Sequence, residues 1–68
     1  MVKVNELRGI IYKNGLSQCK VAKKLNITPQ TFYDKMKKGV FGSDEISIMI
    51  KELNIDNPLD IFFAEEVT

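Results

Sequence analysis

The sequence contains no histidine and no tryptophan, and only one cysteine and two prolines among its 68 residues. Without histidine, triads and dyads built on an imidazole base are excluded. With Cys19 as the sole thiol, a zinc site has no ligand set. One cysteine forms no internal disulfide, which fits a reducing cytoplasm. No apolar run reaches the roughly 18 residues of a membrane span. The first 15 residues mix acidic and polar side chains into their apolar stretch and lack a small-residue cleavage site, unlike a secretory signal. No pair of titratable groups is spaced for acid–base work, so the chain is not expected to be an enzyme. Nothing calls for a metal, a cofactor or a small-molecule ligand.

What is present is enough for one small core, since hydrophobic residues make up 44% of the chain. The length predicts a single domain, 1–68, with no room for a second. Such a chain buries only about 60% of its unfolded surface, so its stability margin is narrow.

The formal net charge of +1 conceals a strong segregation. Residues 13–38 carry Lys13, Lys20, Lys23, Lys24, Lys35, Lys37 and Lys38 against Asp34 alone. Residues 39–68 carry Lys51 against Asp44, Glu45, Glu52, Asp56, Asp60, Glu65 and Glu66. A basic half beside an acidic half suggests a dipolar particle that meets a polyanion on one side, although for charge runs in general a solvated lysine face is the commoner case.

Breakers divide the chain into five segments, each with helical spacing and none with a sustained period of two, which predicts an all-α fold. The first covers 3–13 through Val4, Leu7, Ile10 and Ile11 and stops at Asn14-Gly15. Gly9 lies in its middle, where the close approach of a neighbouring helix would explain a poor helix former. The second has Ser17 as N-cap and turns Val21, Ala22 and Leu25 inward. The third has Thr28 as N-cap and Pro29 in its first helical position, runs to Lys38, buries Phe32 and Met36, and ends at Gly39. The fourth takes Ser43 as cap with Asp44 and Glu45 in its first turn, and its apolar face is Ile46, Met49, Ile50 and Leu53. Asn57-Pro58 opens a short fifth helix through Leu59, Phe62 and Phe63. Helices this short hold only by packing on one another.

Only Asn26, Ile27 and Thr28 separate the second and third segments, a turn that folds two helices across each other. Asn26 is placed where a positive φ is expected, and asparagine tolerates one better than most residues. Ile27 and Phe32 plug the angle. Thr28, Gln30, Thr31, Tyr33, Asp34 and Lys37 are then left facing away from the core. Cys19, in the first turn of a helix beside Lys20, admits a redox role but reads more simply as an inert thiol.

The stretch from Gln18 to Met36, with Gln18, Ala22, Leu25, Ile27, Phe32 and Met36 in register, resembles the helix-turn-helix of phage Cro and CI-type repressors, the XRE family. Asn26 stands where glycine is usual, and Asp34 is an unusual acid on the reading face. The resemblance implies a compact, lambda repressor-like bundle of five short helices. Its third helix would enter the major groove of double-stranded DNA. It assigns base readout to Thr28, Gln30, Thr31, Tyr33 and Asp34. Gln30 would pair with adenine N6 and N7, and Asp34 would either accept from cytosine N4 or neutralise Lys37 or Lys38. Phosphates would fall to Gln18, Lys13, Lys20, Lys35, Lys37, Lys38 and the backbone around Phe41 to Ser43.

A single small module touches too few base pairs to select a site, so two copies on a palindromic operator are expected, about 34 Å apart. The C-terminal segment, with Ile61, Phe62, Phe63 and Val67, is the candidate dimer surface, Phe62 and Phe63 being core residues on the other reading. The place of action is then the cytoplasm of a bacterial host cell, at the nucleoid. The alternative is a protein-binding modulator that pairs with another phage repressor. Single-stranded nucleic acid is a weaker option, because only Tyr33 and Phe41 offer stacking surfaces.

Overall fold

Each helix is bounded by signals in its own sequence. The computed structural model describes residues 2–63, which contain α1 (Val4–Lys13), α2 (Gln18–Lys24), α3 (Pro29–Lys38), α4 (Ser43–Glu52) and α5 (Pro58–Phe62), with no strand among them. The all-α reading is correct. Ser17 Oγ accepts from the Lys20 N–H at 3.2 Å and caps α2. Thr28 Oγ1 accepts from the Thr31 N–H at 3.1 Å and caps α3, with Pro29 next in line.

The α4 cap differs from the expectation. Gly42, not Ser43, is the N-cap, because Glu45 reaches back three residues and its Oε1 accepts from the Gly42 N–H at 2.8 Å. Ser43 thereby becomes the first helical residue. This is one half of a capping box, since glycine has no side chain to return the bond.

Four helices end in the same way. Gly15, Asn26, Gly39 and Asn54 adopt φ of 71°, 61°, 72° and 55°. The N–H of the following residue then reaches back to a carbonyl five positions earlier: Leu16 to Ile11 at 3.1 Å, Ile27 to Ala22 at 3.0 Å, Val40 to Lys35 at 3.2 Å and Ile55 to Ile50 at 3.1 Å. These are Schellman turns, and the residue after each left-handed position is apolar. The positive φ expected of Asn26 is present. That of Asn54 has a visible sequence signal, because Leu53-Asn54-Ile55 repeats Leu25-Asn26-Ile27.

Inside, Leu7 and Ile11 of α1, Val21 and Ala22 of α2, Phe32 and Met36 of α3, Met49 of α4 and its C-cap Leu53 join one buried cluster. The segment before α1 is stitched across the bundle. The Val2 N–H donates to the Gly39 carbonyl at 3.2 Å and the Lys3 N–H to the Ile61 carbonyl at 2.7 Å. That anchoring buries Val2.

Two expectations about apolar residues are overturned. Gly9 is exposed, and a Cβ built on it would meet nothing within 4 Å, so no helix approaches it. On α5, Ile61 and Phe62 are each 3% exposed, whereas Leu59 and Phe63 are 71% and 54% exposed. The face of α5 carrying Ile61 and Phe62 turns into the core where α5 meets α1. Ile61 and Phe62 are therefore core residues and not part of a dimer surface. Val67 lies outside the described residues.

Candidate nucleic-acid interface

The turn at Asn26 lets α3 pack on α2 while keeping one side of α3 in solvent. At 100° per residue, Phe32 and Met36 point inward, and Gln30, Asp34 and Lys37 form the opposite stripe, flanked by Lys38 and Thr31 on one side and Tyr33 on the other. Gln30, Thr31, Tyr33, Asp34, Lys37 and Lys38 are all exposed. The arrangement is that of a helix-turn-helix whose second helix is free to touch a partner.

Hydrogen bonds within this surface set what each side chain offers. The Thr28 hydroxyl accepts the capping N–H of Thr31 and donates to Thr31 Oγ1 at 2.9 Å. Thr28 is thus committed to its own helix, and Thr31 keeps a free hydroxyl proton. The Gln30 amide donates to Asp34 Oδ1 at 3.3 Å. Among the described residues Asp34 is in no ion pair with Lys37 or Lys38. The Tyr33 hydroxyl lies 3.2 Å from Cys19 Sγ, which joins the start of α2 to the middle of α3. That hydrogen bond, together with the electrostatic interaction between the two groups, holds the Tyr33 phenol above its ordinary titration range. Tyr12 of α1 adds to the effect and is itself 64% exposed. Its place here went unrecognised in the sequence, although it is one residue, or 100°, round from the buried Ile11.

The lysines divide into two groups. Lys24 Nζ meets Glu52 Oε1 at 3.0 Å and Lys35 Nζ meets Glu45 Oε1 at 3.2 Å, so two lysines tie α2 and α3 to α4. Lys35, expected at a phosphate, is half-buried against Glu45 instead. Lys13, Lys20, Lys23, Lys37 and Lys38 have no ion pair among the described residues. Lys37 and Lys38 share the outward side of α3. Lys13 lines a depression of about 320 Å³ between the end of α1 and the α4–α5 connection, next to Asp56. Gln18 is half-buried in the first turn of α2, and Ser43 is exposed at the first turn of α4.

Phe41 is not a stacking surface. It is 7% exposed and packs on Phe32, ring centroids 5.5 Å apart at 53°. The exposed aromatics of the described residues are Tyr12, Tyr33 and Phe63. No group of three or more potential metal ligands occurs among those residues, and none of their helices is long and apolar enough to cross a membrane. No family model, curated protein or solved structure matches the chain.

Proposed function

We propose that this protein is a sequence-specific, double-stranded DNA-binding transcriptional regulator of the Cro and CI-type repressor kind, with α3 as the helix that enters the major groove. The supporting observation is the outward side of α3: a carboxamide, a hydroxyl and two lysines without ion pairs among the described residues, opposite a face buried through Phe32 and Met36. An exposed amide matches the donor–acceptor pattern of a base edge, and unpaired lysines release counterions when they meet phosphates. The mechanism is occupancy of an operator in the bacterial cytoplasm, and no chemical step is needed.

Selection of bound duplexes from a random pool tests this reading directly. A palindromic consensus is expected. Gln30→Ala should then cost on the order of 1–3 kcal/mol and relax preference at one base pair. Lys37→Ala should weaken all sequences alike and lower the salt slope by about one unit. If both variants bind as the parent does, α3 is not the reading helix.

Two half-sites require two copies. Leu59 of α5 and Phe63, its C-cap, lie four residues apart and both are exposed, so they form the self-association surface in place of Ile61 and Phe62. A strict monomer in sedimentation, both free and on operator DNA, would remove the dimer. The same apolar pair favours a second reading, a modulator that pairs with another repressor. A gel shift with and without such a repressor separates the two, because a modulator shifts DNA only in its company.

A further inference from the structure

We propose that Asp34 is a positioning residue: it holds the Gln30 amide so that the amide's remaining N–H and its carbonyl are presented side by side to an adenine. The proposal rests on the duplex reading above and deepens it.

Gln30 and Asp34 are one turn apart on the exposed side of α3, and Gln30 Nε2 donates to Asp34 Oδ1 at 3.3 Å. A carboxamide carries two N–H donors and one acceptor oxygen. If Asp34 takes the N–H directed away from the amide oxygen, the other N–H and Oε1 stay together on one edge. That edge is the two-point match for adenine N7 and N6. A rotated amide would offer only one of the two bonds. Asp34 is well suited to this task because its charge is not shared with a lysine among the described residues, although Lys37 and Lys38 stand three and four positions on.

A carboxylate on a surface that meets phosphates lowers affinity for every sequence alike. Asp34 therefore trades general affinity for selectivity at the base pair under Gln30. On a solvated helix such a pair biases the amide by about twofold. Once the duplex displaces water, a hydrogen bond to a charged acceptor strengthens, and the bias rises to about tenfold.

The test compares the parent, Asp34→Ala, Asp34→Asn, Gln30→Ala and the double variant Gln30→Ala/Asp34→Ala by duplex selection and by competition with random duplex. All the changes are on exposed positions, and circular dichroism verifies the fold of each variant. Both Asp34 variants should gain affinity for random duplex by a similar factor, since both remove the charge. Asp34→Ala should reduce the adenine preference by about twofold to tenfold, and Asp34→Asn by less, because Asn keeps an acceptor for Gln30 but not its charge. In the Gln30→Ala background, the Asp34→Ala change should no longer alter base preference. A parent and an Asp34→Ala protein with the same consensus and the same selectivity would overturn the positioning role and leave duplex binding standing. So would an Asp34→Ala effect of full size without Gln30, which would make Asp34 itself the reader of a base. A parent that shows no salt-dependent duplex binding overturns the functional reading, and this proposal with it.

Discussion

Asn26 and Asn54 provide a matched pair with which to separate the stability of a turn from its role in placing α3. Both follow a leucine and precede an isoleucine, both are exposed, and both hold a left-handed φ, 61° and 55°. Among the described residues neither side chain makes a hydrogen bond, so the asparagine contributes through its backbone conformation. A residue with an ordinary Cβ loses roughly 1–2 kcal/mol in the left-handed region, and asparagine loses less. Replacement by alanine should therefore destabilise by about 1 kcal/mol at each position. For a domain of this size that is about 4–8 °C in Tm. Glycine removes the strain but gives the unfolded chain more freedom, about 0.5–1 kcal/mol, so the two effects nearly cancel. Thermal unfolding followed by circular dichroism, with all four single variants beside the parent, measures this. The alanine variants should fall together and the glycine variants should stay near the parent. In duplex binding the two positions should part, because only the turn at Asn26 orients α3. Equal Tm values for alanine and asparagine, or glycine variants as unstable as alanine ones, would show that backbone conformation is not what these residues supply.

Three further outcomes are expected. Gly9→Ala should stabilise α1 by about 0.8–1 kcal/mol, since the added Cβ meets nothing and alanine is the better helix former; a lower Tm would contradict the open space at that position. Phe32→Ala should cost about 3–5 kcal/mol, because the ring is fully buried and packs on Phe41; for so small a domain the far-UV signal should collapse at 37 °C. Cys19→Ala should move the Tyr33 phenol down toward its ordinary value of about 10, read by ultraviolet titration near alkaline pH. The folded state binds the Tyr33 proton more tightly than the unfolded chain does. The contact's contribution is therefore complete below about pH 10 and is lost as pH rises through the phenol's folded-state range.

The helix boundaries were legible where the signal is local. Ser17, Thr28 with Pro29, and Gly39 act on backbone groups within a turn of themselves, so their role does not depend on the rest of the fold. The α4 start was misread because two adjacent residues competed, and the Glu45 carboxylate chose Gly42 over Ser43. The outward stripe of α3 was also legible. Phe32 and Met36 define the inner side, and the helical period places everything else.

What lay beyond the sequence depends on which surface meets which. In α5 and its C-cap, Leu59, Ile61, Phe62 and Phe63 are all apolar within five positions, and composition does not separate core from surface there. The contact of α5 with α1 does, by burying Ile61 and Phe62 and leaving Leu59 and Phe63 in solvent. Lys35 and Lys37 look alike along the chain, yet only Lys35 lies within reach of Glu45. The order of amino acids set where the chain turns and which side of each helix is apolar, because capping and periodicity act over a few residues. Only the packed bundle decided which apolar residues stay wet and which lysines are paired, because those outcomes depend on the distance between side chains in space.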